Sequence, residues 1–332
     1  MSEVSLLVAV YNSEKYLRAC LDSLIRQTLA DIQIVCIDDA STDSSPDILQ
    51  EYAAADNRIQ IITLKTNVGQ AKARNEGLKV CDGRTITMVD SDDWLSEDGL
   101  EKAMEKYDSD PSIESVLFTL CYHYEEDNGT EQKYPMRSSK GLWSGQEAFI
   151  LSLDWSIHGL YITSAELYRN YPFDDTCRLY SDDNTTRLHY LHSDKVALCE
   201  GVYFYRQHSA EMTRQNTMAR FEIIEANLSL SRKLKEEKVS FEVRSIFESE
   251  RWKNLVGIYC RYLQYSSTLD SEQKISVRGK IAEIYKTIDQ TMLPKELKRK
   301  FGFIHFRSYI IFQIEIRVYY TLRIMCGRGF EK

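Results

Sequence analysis

Proline and glycine are scarce in this chain, five and fourteen in 332 residues, which excludes collagen-like and low-complexity architectures. The eight cysteines never come closer than Cys20 and Cys36, so no CxxC pair for a metal or redox centre exists. They read as buried free thiols of a reducing compartment. Long apolar runs are missing as well. The longest uncharged apolar stretch near the C-terminus, Ser308 to Ile314, falls far short of the roughly 20 residues that cross a bilayer. The N-terminus carries neither a basic leader nor a small-residue cleavage site, so its short apolar run reads as a strand and the chain as cytoplasmic. An excess of positive charge is also lacking. Lys and Arg number 42 against 50 Asp and Glu, a net charge of -8 that disfavours a surface built for nucleic acid. No GxGxxG follows the first apolar run, which disfavours a dinucleotide-dependent oxidoreductase.

What is present is an ordinary globular composition, 43% hydrophobic and 28% charged, enough to offset chain entropy over one large domain or two. In the first hundred residues short apolar runs alternate with amphipathic segments, the rhythm of βαβ units around a mostly parallel sheet. Strands are expected at Val4–Val10, Ile32–Ile37, Ile59–Leu64 and Thr85–Val89. Helices are expected from Ser13, from Ser44 to about Ala55 with Pro46 in the first turn, and from Gly69 to Val80. The fold class is α/β. Further on, Ser144 and Glu147 form a capping box. A helical stretch follows Ser181–Asn184, and a β pair is expected at Val196–Leu198 and Val202–Tyr205. From about Met218 the period is helical. The chain divides into a catalytic domain over 1–215, a helical extension over 216–290 and a basic, aromatic tail over 291–332.

In open α/β sheets ligands bind at the carboxyl ends of strands. Three of the four strands end in polar clusters: Tyr11 and Asn12 after Val10; Asp38, Asp39 and the following Ser-Thr-Asp; and Asp90, Ser91, Asp92 and Asp93. Three carboxylates within four residues repel one another in a partly dry cleft, and a divalent cation is the simplest compensation. Hard oxygen ligands select Mg²⁺ or Mn²⁺. A lone acidic turn of this kind more often caps a helix. The neighbouring acidic strand end and the helix start at Gly69, with Lys72 and Arg74, turn the balance toward a nucleoside diphosphate site. Arg74 reads equally as an ion-pair partner of Glu76, Asp38 or Asp39.

Taken in order, VAVYN, IDDASTD, NVGQAKARNEGL, TMVDSDDW and YSDDNTTRLHYLHSDKVALCEGVYFYRQHS resemble the family-two inverting glycosyltransferases of GT-A fold over residues 4 to 215. The resemblance implies transfer of a sugar from a nucleotide diphosphate donor, usually a UDP-sugar, to an acceptor hydroxyl with inversion. It implies a role in surface polysaccharide or glycolipid synthesis. Val10, Tyr11, Asn12, Asp38, Asp39, Gly69 and Arg74 would form the nucleotide pocket. Asp90, Ser91 and Asp92 match the DXD element, Asp90 nearer the ribose and Asp92 nearer the metal, with Asp93 and His208 as further metal contacts. Asp183 would be the base that takes the acceptor proton, with Asp182 able to exchange roles with it. Trp155 and His158 fall on the acceptor side. Two departures stand out: Ala9-Val10 replaces the usual Pro before Tyr-Asn, and Asp-Asp replaces Glu-Asp.

From Thr291 to the end there are nine basic and three acidic residues. Ile310, Ile314, Val318, Leu322 and Met325 share one helical face, although the stretch 314–324 also alternates as a strand would. Such an element would lie on an anionic membrane leaflet where lipid-linked acceptors reside, or pack against its own domain or a second copy in a homodimer. Two rival readings are a phosphate-accepting receiver domain, which is much shorter, and a noncatalytic nucleotide-sugar-binding scaffold of the same fold.

Overall fold

The computed structural model describes residues 2–176, 180–208, 218–237, 239–304 and 308–327. The chain separates into two compact units, residues 1–215 and 216–332. The boundary expected near residue 216 lies outside the described residues.

In the first unit β1 (Val4–Val10), β2 (Ile32–Asp38), β3 (Ile59–Thr63) and β4 (Thr85–Met88) alternate with α1 (Leu17–Ile25), α2 (Ser45–Ala55) and α3 (Gln70–Leu78). The strands are nearly continuous apolar runs because helices cover both faces; β1 is buried at six of its seven positions. Leu17, Cys20, Leu21 and Leu24 of α1 recur at helical spacing and bury as one face. After β4 come β5 (Trp94–Leu95), α4 (Gly99–Asp108), β6 (Ile113–Tyr124), β7 (Thr130–Lys133), β8 (Leu142–Ser144), α5 (Gly145–Leu153), β9 (Tyr161–Ser164), α6 (Ala165–Asn170), α7 (Ser181–His192) and β10 (Lys195–Gln207). The capping box forms: Ser144 accepts the Glu147 N–H while the Glu147 carboxylate accepts the Ser144 N–H.

One mixed sheet results, in the order β3-β2-β1-β4-β9-β6-β10-β5, with β7 beside β6 and β8 beside β10. β1, β2, β3 and β4 pair in parallel, so their carboxyl ends lie along one edge. β9 runs antiparallel to both β4 and β6. This is the α/β architecture the sequence leads one to expect, with one correction. The β pair expected at 196–205 is a single long strand parallel to β6, broken by a bulge in which the pairing steps from Leu198–Leu117 to Val202–Thr119. Cys199-Glu200-Gly201 reads as a turn in sequence because of its glycine. In the fold Gly201 serves a close approach: a Cβ there would meet the Gly99 carbonyl oxygen at 2.5 Å.

The second unit is helical: α8 (Ile223–Glu236), α9 (Phe241–Tyr265), α10 (Ser271–Thr287), α11 (Lys295–Arg299) and α12 (Tyr309–Met325). The tail, read in sequence as a segment of its own, shares this unit's core. Phe312 and Ile316 of α12 bury with Trp252, Tyr259 and Ile281, so the helical period prevails over the strand alternation. The opposite face, with Ile310, Ile314, Val318, Leu322 and Met325, is exposed. Of the tail's basic residues, Arg307, Arg328 and Lys332 lie outside the described residues. No described helix is long and apolar enough to cross a membrane.

Gly201→Ala should lower stability by about 1–3 kcal/mol, because backbone atoms crowd the new methyl and cannot yield as a side chain would. A thermal-shift measurement against the parent chain reads this as a lower midpoint.

Candidate active site

A cavity of about 510 Å³ opens at the carboxyl ends of β1, β2 and β4. Its near wall is two loops laced together. Asn12 and Ala40 both sit in the left-handed region, at φ +51° and +60°. The Asn12 side-chain oxygen accepts the Thr42 N–H at 2.8 Å, and the Asn12 N–H donates to Ser41 Oγ at 3.0 Å. Tyr11, at the tip, is 48% exposed. The Asp38 side chain is buried and accepts the Ser41 N–H at 3.0 Å, so it shapes the loop from behind. Asp39 faces the cavity, and its carboxylate accepts the N–H groups of Val68 and Gly69 at 2.7 and 2.8 Å. Gly69 then enters α3 at φ +91°, a conformation that favours glycine and brings bare backbone to the cavity wall.

The floor is the strand end after β4. Asp90 Oδ1 accepts from Gln70 Nε2 at 2.8 Å and from the Arg74 guanidinium. The Arg74 side chain is 1% exposed and lies over the Phe173 ring. Burial raises the Asp90 carboxyl above the usual range; Arg74 pulls it back down, while Asp92 and Asp182 push it up. Ser91 Oγ meets Ser13 Oγ at 2.7 Å, tying the floor to the β1 loop. Asp92 Oδ2 stands 3.0 Å from His208 Nε2, and the His208 ring packs against Tyr16. Asp93 turns the other way. It is fully buried and accepts the Tyr203 O–H at 2.9 Å and the Arg206 N–H at 2.8 Å. Burial, reinforced by Asp92 and Asp90, holds its carboxyl well above the ordinary value.

The far wall comes from α7, whose first turn places Asp182 and Asp183 on the same cavity. Asp183 Oδ2 lies 3.6 Å from Arg187 Nη2. Burial lifts the Asp183 carboxyl to about 7, opposed by Arg187 and reinforced by Asp182. Trp155 stands beside it at φ +58°, its carbonyl accepting the Tyr134 O–H at 2.5 Å and its indole lying under the Arg187 guanidinium. A second chamber of about 430 Å³ shares Asp90, Trp155, Asp182, Asp183 and Tyr205 with the first and adds Tyr122, Tyr134 and His158.

Thus the structure brings Val10, Tyr11, Asp39, Gly69, Asp90, Ser91, Asp92, Trp155, Asp182 and Asp183 to one cavity and His158 to the adjoining chamber. Asp38 and Arg74 support this wall from behind. Asn12 laces its loops and His208 reaches it through Asp92. Asp93, expected among the metal contacts, has both carboxylate oxygens engaged by Tyr203 and Arg206 instead. Sequence reasoning missed Ser13 and Gln70, and the wall-forming role of Tyr122, Tyr134, Tyr180 and Tyr205. Gln70 carried a signal, being one helical turn before Arg74. The tyrosines did not, because strand alternation marks a face without saying what it meets. Among the described residues no group of three or more His, Cys, Asp or Glu side chains is assembled as a metal centre; Asp92 and His208 are a pair.

Comparison with known proteins gives the family and the fold. The family model described as "Glycosyl transferase family 2" matches residues 5–177. Glycosyltransferase GlyG of Streptococcus pneumoniae serotype 4 is 29% identical over 301 residues, which span 82% of this chain and 93% of GlyG. Among solved structures, Staphylococcus aureus TarS 1–349 in complex with UDP-GlcNAc superposes with a TM-score of 0.73 at 19% identity, over 99% of this chain and 93% of that one. The mannosyltransferase PcManGT of Pyrobaculum calidifontis, in complex with GDP-Man and Mn²⁺, superposes with a TM-score of 0.51 at 14% identity, over 99% of this chain and 88% of that one. The last two likenesses concern the fold.

Asp93→Ala should cost about 1–3 kcal/mol, since it leaves the buried Tyr203 hydroxyl and the Arg206 N–H without their acceptor. Urea unfolding followed by circular dichroism would show a lower midpoint, and Asp93→Asn should recover part of it.

Proposed function

Because this chain belongs to glycosyl transferase family 2, and is a glycosyltransferase, we propose that it moves a sugar from a UDP-sugar to an acceptor hydroxyl with inversion, in surface polysaccharide or glycolipid synthesis. One observation carries the reading: Asp92 and Asp183, ninety-one positions apart in the chain, open onto the same cavity beside Asp39 and Gly69. The nucleotide lies along the near wall, Tyr11 flanking the base and the Gly69 backbone approaching the phosphates. The complexes of TarS with UDP and UDP-GlcNAc support a uridine donor in this fold.

The residues fit a divalent cation. Asp92 and His208 offer one hard oxygen and one imidazole nitrogen 3.0 Å apart, a donor set that suits Mn²⁺ and also admits Mg²⁺. Asp92 and His208 would hold the ion. Bound there, it would supply positive charge to stabilise the leaving diphosphate. Asp183 acts on the other side of the anomeric carbon. Its carboxylate takes the proton of the acceptor hydroxyl as that oxygen bonds to the anomeric carbon, while the bond to the diphosphate oxygen breaks and its electron pair leaves with UDP. Attack opposite the leaving group inverts the anomeric configuration. Asp182 tunes the base through its charge, and Arg187 holds the Asp183 carboxylate in place.

Nucleotide release from a panel of UDP-sugars, with Mn²⁺, Mg²⁺ or EDTA, tests the assignment. Asp183→Asn should retain donor binding and lose transfer by at least a hundredfold. Asp92→Asn should weaken both, and intact turnover in that variant would refute the metal assignment. A chain that binds the UDP-sugar but never releases UDP is the noncatalytic scaffold.

The pH profile is a second check. Asp183 works only as the carboxylate, and its folded value is raised to about 7. Transfer should therefore climb about tenfold per pH unit below 7 and level off above it. Asp182→Asn removes a like charge, so the rising limb should move to lower pH. An unshifted limb would separate the profile from Asp183.

A further inference from the structure

The second chamber differs in chemistry from the first. Tyr122 lines it, with the Tyr134 and Tyr205 rings each 5.9 Å away and tilted. All three are half-buried and present ring surface to the chamber. The set is held in place: the Tyr134 hydroxyl is committed to the Trp155 carbonyl, and the His158 ring stands edge-on to Tyr134 at 5.4 Å. Among the described residues no lysine or arginine lines this chamber, while Asp90, Asp182 and Asp183 do. His158 adds no charge, because burial pushes its pKa down to about 3. The guanidinium groups that reach its acids are already engaged, Arg187 by Asp183 and the Trp155 ring and Arg74 by Asp90.

Aromatic faces with convergent carboxylates suit a sugar ring, whose C–H face stacks while its hydroxyls donate to the acids. A phosphate or uronate would instead face Asp90, Asp182 and Asp183, with Arg74 and Arg187 already engaged by two of them. We propose that this chamber takes the terminal unit of the acceptor as an uncharged sugar stacked on Tyr122, Tyr134 and Tyr205, and discriminates against an anionic acceptor unit. The inference rests on the glycosyltransfer reading above and adds the chemical class of the acceptor to it.

Saturation-transfer NMR on the full chain with UDP and diamagnetic Mg²⁺ present tests it. The probes are neutral methyl β-glycosides of glucose, galactose and N-acetylglucosamine, methyl β-glucuronoside, and the 6-phosphate of methyl β-glucoside. At least one neutral glycoside should be saturated, most strongly at its axial ring protons, and the two anions at least tenfold less. Tyr122→Leu should cut that saturation at least fivefold and Tyr122→Phe should keep it, with the UDP resonances in the same tube reporting that each variant folds. Equal saturation of the anions, silence from every neutral glycoside, or an undiminished signal in Tyr122→Leu overturns the inference while leaving the donor assignment intact. Absence of UDP saturation in the parent chain sinks the donor assignment and this inference together.

Discussion

Five carboxylates, those of Asp90, Asp92, Asp93, Asp182 and Asp183, gather around one cleft, and the arrangement depends on how their charge is balanced. Arg74, sealed behind the floor, is the first answer: its guanidinium reaches Asp90 from the side away from the cavity. Asp93 is the second, turned away from the cavity with both oxygens engaged by Tyr203 and Arg206 and its carboxyl raised by burial. Arg187 meets Asp183. What remains uncompensated faces the cavity. Negative charge left on that side would attract a cation.

The same balance explains why the two loops of the near wall are so heavily bonded. Tyr11 to Asn12 and Asp38 to Asp43 are each short of regular structure, yet Asn12, Asp38 and Asp39 together accept four backbone N–H groups, those of Thr42, Ser41, Val68 and Gly69. Carboxylates that accept N–H groups keep their shape without a partner charge. The wall is thereby formed before any ligand arrives, and less ordering entropy is lost on binding.

Much of this was legible in the sequence. β1 matches its apolar run residue for residue, and the strand ends at 11, 38 and 90 mark the cavity edge because parallel pairing aligns them. The burial of Leu17, Cys20, Leu21 and Leu24 follows from spacing alone. The convergence of Asp183 on that edge came from the resemblance of ordered motifs, since no local pattern specifies contacts between residues ninety positions apart. Illegible were the inward turn of Asp93, indistinguishable in sequence from Asp92, and the partner of Arg74, expected among Glu76, Asp38 and Asp39 and found to be Asp90. The tyrosines of the second chamber were equally hidden. Tyr122 and Tyr205 lie on neighbouring strands, β6 and β10, paired across a register that passes through the bulge, and no period records a bulge in advance.

That bulge also fixes a parity. Between Leu198 and Val202 four steps along β10 are matched by two along β6, so the strand resumes in phase with its neighbour. Tyr203, which anchors Asp93, and Tyr205, which walls the cleft, share a side because they stand two apart beyond the bulge, and the even surplus keeps that side in phase with the strand before it. Lineages of this chain could therefore gain or lose residues here in twos and keep the same side chains toward the substrate, whereas a single codon dropped between Cys199 and Gly201 would exchange inside for outside along the rest of the strand.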